Sequence, residues 1–176
     1  ILVLLLYIHF PRTTVPSIVF YNLHNCAAVH FIEADNSSYL CSDRKDSTYI
    51  YMKNIAETYW KRKKMPIPHL LLSDYEGRNV WSHKGIVHWR GMNICMVTDG
   101  YWRNKSATNL LDIDYMYLCK GYKGEIAPLQ KLFHIKRIVL DASLGDYKSK
   151  AYKEECKTLG LDYIDISEKG SFRILL

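Results

Sequence analysis

No two cysteines in the sequence have C-x-x-C spacing, and the five present, Cys26, Cys41, Cys95, Cys119 and Cys156, are odd in number and scattered. That pattern argues against both a zinc knuckle and a disulfide framework, and it leaves the thiols mostly as small buried hydrophobes. Glycine (9) and proline (5) are scarce, which argues against long disorder. There is no GxxxxGK[ST] phosphate loop, no GxGxxG, no GxSxG nucleophile elbow and no HExxH, so four common catalytic constellations are absent. The seven histidines, His9, His24, His30, His69, His83, His88 and His134, stand singly. Only His83 and His88 are close, and their spacing across a turn and a strand makes a poor ligand pair. No apolar run reaches the roughly 20 residues of a membrane-spanning helix. Nor is charge one-sided: 24 Lys and Arg against 18 Asp and Glu give +6, which favours anionic partners weakly and permits nucleic acid without demonstrating it.

What is present is 176 residues, 48% hydrophobic and 24% charged, enough for one compact domain with a substantial core. The chain opens on ILVLLLYIHF, without the basic start and small-residue cleavage site of a secretory signal. Two readings of Ile1 to Phe10 remain open: the end of a membrane helix, with Tyr7, His9 and Pro11-Arg12 at the interface, or a buried strand. The density of Leu and Ile without polar alternation favours the first. Residues 1–16 are then a membrane-helix end plus linker, and residues 17–176 the domain.

Strands are expected at Ile18 to Tyr21, Ala27 to Glu33 and Tyr39 to Ser42, with turn chemistry at Asn22 to Asn25 and Asp35 to Ser38. Ser47 to Lys64 places Tyr49, Met52, Ile55, Ala56, Tyr59 and Trp60 at helical spacing, and Pro66 and Pro68 end it. Short strands follow at Leu70 to Leu72, Ile86 to Trp89 and Ile94 to Val97. The second half alternates: strand Tyr115 to Cys119, helix Glu125 to Phe133, strand Ile138 to Leu140, helix Lys148 to Leu159 capped by Gly160, strand Tyr163 to Ile166, strand Phe172 to Leu175. An α/β domain with one or two sheets covered by helices is the fold class these elements predict.

Four segments in order resemble the C-terminal domain of the ComEC family, membrane proteins of natural competence that admit single-stranded DNA. SIVFYNLHNCAAVHFIEA (Ser17 to Ala34) is similar to the family's opening strand, VGQGDA turn and second strand. PHLLLSD (Pro68 to Asp74) and VTDG (Val97 to Gly100) look like its next strand and its Gly-Asp turn. YLCKGYKG (Tyr117 to Gly124), followed by LFHIKRIVLDASLGDY, looks like its SHHGS loop with the helix and strand after it. The ending LGLDYIDISEKGSF (Leu159 to Phe172) resembles divergent, Bacteroidetes-type members in particular. The resemblance implies a metallo-β-lactamase-like αββα sandwich preceded by the end of a transmembrane helix, on a multi-pass protein of the bacterial inner membrane.

The departures from that family are chemical. Metal-holding members carry HxHxDH after the strand, a spacing that converges imidazoles and a carboxylate on one or two divalent ions. Here the position reads LLLSDYEG, the SHHG loop reads Leu118-Cys119-Lys120-Gly121, and Ala27 stands for the acidic residue of VGQGDA. Asp99 is the one carried-over oxygen ligand, a vestigial metal position that serves equally as a turn residue before Gly100. A site rebuilt from Asp99, Asp112, Asp114 and Cys119 would have Lys120 opposing the cation. The resemblance with these losses implies a degenerate sandwich, with no metal, no cofactor and no catalytic residue.

The candidate surface is instead basic and aromatic. Lys61, Arg62, Lys63 and Lys64 close the first helix; Trp102, Arg103 and Lys105 follow VTDG; Lys120, Tyr122 and Lys123 occupy the old metal loop. Cations neutralise phosphates and aromatic faces stack on bases, the usual means of holding single strands without reading sequence. Solvated helix-end charge and half-buried packing explain the same residues without a ligand. Three functions are therefore carried forward: a non-catalytic domain of a DNA-uptake protein that contacts incoming single-stranded DNA or supports the channel; a structural module docking the membrane part or other competence proteins; and a divergent metal-dependent nuclease.

Overall fold

The computed structural model describes residues 15–35, 37–42, 50, 54, 56–58, 60–62, 65, 67–71 and 74–176. The apolar run at 1–10 and most of the linker, together with Lys63 and Lys64, lie outside the described residues. Among those described, no helix is long and apolar enough to cross a membrane.

Two sheets dominate. The first has five strands in the order β14-β1-β2-β3-β4: β1 (Ser17–Phe20), β2 (Ala28–Ile32), β3 (Ser38–Ser42), β4 (His69–Leu70) and, from the far end of the chain, β14 (Phe172–Leu175). All its pairings are antiparallel except β3 with β4. The second has seven, in the order β13-β12-β10-β8-β7-β6-β5. These are β5 (Asp74–Glu76), β6 (Val80–His83), β7 (Ile86–Trp89), β8 (Met92–Val97), β10 (Tyr115–Leu118), β12 (Arg137–Leu140) and β13 (Asp162–Asp165). Strands β8, β10, β12 and β13 run parallel, whereas β5, β6 and β7 form antiparallel hairpins leading into β8. A small parallel pair, β9 (Leu111–Ile113) with β11 (Phe133–Ile135), makes a third sheet beyond the one or two expected.

Side-chain alternation stacks these into layers. Ile18, Phe20, Val29 and Phe31 of the first sheet meet Val87, Trp89, Ile94, Met96, Tyr117 and Val139 of the second, so the central core lies between the sheets. On the outer face of the second sheet, Cys95, Val97, Met116, Leu118, Ile138 and Leu140 pack under Tyr152 and Cys156. Both belong to helix α1 (Asp146–Leu159), which buries Ser149, Tyr152 and Cys156 at spacings of three and four and ends on Gly160 in the left-handed region. The outer face of the first sheet packs Val19, Tyr21, Ala28, Ile32 and Leu40 against Ala56 and Trp60. These two sit in a stretch, 50–62, whose described residues are helical, as the Tyr/Met/Ile/Trp spacing predicts. Trp60 donates its indole N–H to the Tyr21 hydroxyl, which meets His30 Nδ1 at 2.8 Å. Burial, with Arg173 adding repulsion, pushes the His30 imidazole down to about 3, so that ring is neutral and structural.

Two expectations require correction. Glu125 to Phe133 is no α-helix: only Ala127–Lys131 forms a 3-10 turn, with Pro128 in its first positions, and Phe133 already starts β11. Its chain direction is set by pairing with β9, whose short polar-apolar segment carries too few residues to be recognised as a strand. The apolar Leu70 to Leu72 contributes only His69–Leu70 to a sheet, and Leu72 lies outside the described residues. Strands β5 and β6 were not anticipated because only one face of them is apolar: Val80 and Ser82 point inward, Trp81 and His83 outward.

Candidate nucleic-acid interface

Parallel strands place all their carboxyl ends at one edge, the usual position of a site in an open α/β sheet. Here Val97, Leu118, Leu140 and Asp165 end together, and two loops meet above them. Cys119 donates its N–H to the Val97 carbonyl (3.1 Å), and a Cβ on Gly121 would lie 1.9 Å from the Thr98 carbonyl oxygen. Only glycine permits that approach, so the sequence itself wedges the 119–124 loop against the 98–105 loop.

In the 98–105 loop, Asp99 Oδ1 accepts the Tyr101 N–H (2.8 Å) and Gly100 O accepts the Arg103 N–H (2.9 Å). Asp99 is thus a turn-forming side chain, held by its own loop. Trp102 is half-buried, edge-on to Phe133 at 5.1 Å and to Tyr101 at 4.8 Å. Tyr101 is the exposed ring, with the Lys105 ammonium 3.1 Å and the Lys84 ammonium 5.8 Å from its centroid. Lys105 also lies 5.4 Å from the Trp102 ring. Arg103, Lys105, Lys120 and Lys123 are all exposed.

Tyr122 is corrected by its surroundings. It is 1% exposed, stacks on Tyr152 with an 11° interplanar angle and donates its hydroxyl to the Glu125 carbonyl (2.6 Å), so it offers no face to a base. Burial raises its pKa, with Glu155 adding, while Arg103 opposes the shift, a sign that this guanidinium stands near the loop. Lys61 and Arg62 are exposed on the helical stretch covering the first sheet, where Lys61 pairs with Glu57 at 2.8 Å. That stretch packs on the outer face of the first sheet, whereas the two loops follow strands of the second.

Beneath the loops lies a buried network that sequence reasoning missed. Asp141, 1% exposed at the end of β12, accepts hydrogen bonds from the Tyr117 and Ser143 hydroxyls and from the Ser143 N–H (3.1 Å). Burial raises its pKa, and the bonds from Ser143 and Tyr117 only partly oppose that; burial and the same carboxyl push Tyr117 well above its ordinary value. The available signal was an Asp directly after an apolar strand with Ser two positions on. At the end of β13, Asp165 behaves oppositely. Burial raises its carboxyl, but hydrogen bonds from Lys153, Ser167 and Ser149 outweigh it and leave the pKa below the ordinary value.

The donor set does not fit a metal ion. Among the described residues no group of three or more His, Cys, Asp or Glu side chains is placed to hold one. Asp112 within β9 and Asp114 just after it lie at the opposite end of the strands, engaged with His134 (3.0 Å) and Lys136 (2.7 Å), so they do not converge with Asp99 and Cys119. Lone carboxylates and a buried thiol cannot supply the convergent ligands that water activation needs.

A family model for the ComEC C-terminal domain matches residues 18–176. The chain belongs to this family. Membership associates this ComEC C-terminal domain with DNA uptake in natural competence. No curated protein and no solved structure matches the chain.

Proposed function

We propose that this ComEC C-terminal domain is a non-catalytic, degenerate metallo-β-lactamase-like sandwich that contacts incoming single-stranded DNA through the paired loops 98–105 and 119–124. The helix-sheet-sheet-helix layering supports the fold reading, and the LLLSDYEG and Leu118-Cys119-Lys120-Gly121 segments standing where the family carries HxHxDH and SHHG support the non-catalytic one. The carrying observation is that Gly121 packs its loop onto Thr98, which joins the loop bearing exposed Lys120 and Lys123 to the loop bearing exposed Arg103 and Lys105, where Lys105 lies over the exposed Tyr101 and near the half-buried Trp102. Four exposed cations on two joined loops that also carry two rings are suited to phosphates and bases of any sequence. In this reading residues 1–16 connect the domain to the membrane part of an inner-membrane protein, and competence proteins are its neighbours.

Fluorescence anisotropy of labelled single-stranded DNA, titrated with the 176-residue chain at several salt concentrations, tests this. Affinity is expected to fall steeply with salt. Replacing Arg103, Lys105, Lys120 and Lys123 together by Ala should lower the log-log slope by about 3, since each phosphate contact on a single strand contributes roughly 0.7. Absence of salt-dependent binding by the unsubstituted chain would make a structural or docking module the better reading.

A further inference from the structure

The outer face of the second sheet is covered over β8, β10 and β12 and at Ile86 of β7, but among the described residues Trp81 and His83 of β6 and His88 of β7 stay exposed on it. There Trp81, 42% exposed, stands directly opposite His88 and 6.2 Å from the ring of His83, and all three point outward. Toward one end of this face the next residue is Lys84, whose ammonium already lies over Tyr101 of the paired loops. Toward the other end opens a groove of about 370 Å³ lined by Arg78, Trp81, His88 and Arg90.

Charge is installed at both ends at a conformational cost. The two-residue turns on either side of β7 are Lys84-Gly85 and Arg90-Gly91, and all four residues have positive φ (49°, 81°, 48° and 78°). Such turns prefer Asn, Asp or Gly at the first position, and a residue with a full side chain there costs about 1 kcal/mol. Strain of this kind, repeated at two turns with a cation each time, is the pattern of a functional constraint. Arg90 is also held in place: Glu33, 3% exposed and already accepting from Trp89, takes one guanidinium N–H at 2.8 Å, while Arg90 stays 43% exposed. Arginine has five donors, so the anchor leaves capacity for a phosphate.

We propose that single-stranded DNA leaves the paired loops along this face, with a base stacked on Trp81 and backbone phosphates held by Lys84 at one end and by Arg78 and Arg90 at the other. The track rests on the function proposed above and extends it by a second subsite. Arg78 and Lys84 are six residues apart, so the track adds about 20 Å of strand-length reach to the paired loops. Its outer border is set by edge strand β5, where Glu76 lies opposite Trp81 and Asp74 pairs with His83 at 2.7 Å. Those carboxylates repel a phosphate backbone, so the path runs on the β7 side, between Trp81 and His88.

Length dependence separates the track from the loops. With an oligonucleotide of about 15 residues, long enough for both subsites, Trp81→Ala should lower affinity about tenfold, and Trp81→Phe, which keeps a stacking face, should restore most of it. With about 4 nucleotides, enough for the loops alone, neither change should matter, whereas Arg103→Ala with Lys105→Ala should weaken both lengths. Arg78→Glu, on an exposed turn, gives a second reading: a smaller salt slope with the long oligonucleotide only. If Trp81→Ala and Arg78→Glu leave the long oligonucleotide unaffected, or weaken both lengths equally, the track is wrong and the loops stand. If the unsubstituted chain binds neither length with salt dependence, the loop reading itself fails.

Discussion

The seven-stranded sheet has two halves built on different rules. Its parallel half, β8, β10, β12 and β13, is covered on both faces, by the first sheet and by α1 with the 3-10 turn. Parallel strands require such cover, and their near-continuous apolar runs, such as Ile94 to Val97 and Ile138 to Leu140, reflect it. The antiparallel half, β5 to β7, leaves part of one face to solvent: β6 alternates buried and exposed, and β7 exposes His88 alone while Ile86 on the same face stays buried. Rigidity and the buried Tyr117-Asp141-Ser143 network therefore belong to the first half, and exposed aromatic and basic surface to the second. The carboxyl-end edge of the parallel strands is tied together by hydrogen bonds, while the exposed aromatic and basic side chains lie on the loops and hairpins.

Substitutions in the parallel half should be severe. Asp141→Ala strands the buried Tyr117 and Ser143 hydroxyls without their acceptor, a loss of about 3 kcal/mol by urea denaturation. A loss below about 0.5 kcal/mol, the range of ordinary surface changes, would deny the network its structural role. Gly121→Ala forces a methyl against the Thr98 carbonyl and should cost about 2 kcal/mol as the loops part. Because the same separation disperses Arg103 and Lys105 from Lys120 and Lys123, its DNA affinity should fall even at temperatures where the domain remains folded.

How much of this was readable beforehand follows the same division. The parallel strands announce themselves as apolar runs, and α1 by Ser149, Tyr152 and Cys156 at helical spacing before Gly160. The hairpin half was half-legible: Ile86 to Trp89 was clear, but Asp74 to Glu76 and Val80 to His83 expose every second residue and give a weak signal over three or four positions. At the loops, sequence proximity gave Arg103, Lys105, Lys120 and Lys123 as neighbours in composition, yet it could not show which ring faces solvent. The sequence offers Tyr122 as a stacking platform, but that ring is packed on Tyr152; Tyr101, three residues from Thr98 and its wedge, is the exposed one. Asp141 is only half-visible as a hub: Ser143 stands two residues on, but Tyr117 reaches it only when β10 pairs with β12.

Within the parallel half, two buried carboxyls should give opposite pH slopes. Asp141 has a raised folded pKa, so its contribution is fully present below the ordinary value of 3.8 and is lost as pH rises through the folded value. Asp165 has a lowered one, so its contribution is present above 3.8 and is lost as pH falls through the folded value. Each slope is bounded by one proton, about 1.4 kcal/mol per pH unit. As pH is lowered from mildly acidic to acidic, stability should lose its rising component in Asp141→Asn and its falling component in Asp165→Asn. Matching profiles for the two variants would contradict the assigned burial and hydrogen bonding.

The smallest stability effect belongs to the antiparallel half, and it sharpens the contrast most. Trp81 is a large aromatic residue, yet its outward face has no core to leave a cavity in, so Trp81→Ala should change unfolding free energy by no more than about 0.5 kcal/mol. Trp89 of the same hairpin, one residue past Trp81's register partner His88, is fully buried between the sheets and bonded to Glu33; Trp89→Ala, by the cavity rule, should cost about 4 kcal/mol. Two tryptophans on adjacent segments thus divide cleanly by the face they occupy. A cost that small for Trp81→Ala would fit the stacking role proposed for it, whereas equal costs for the two would return Trp81 to the core and remove the stacking platform.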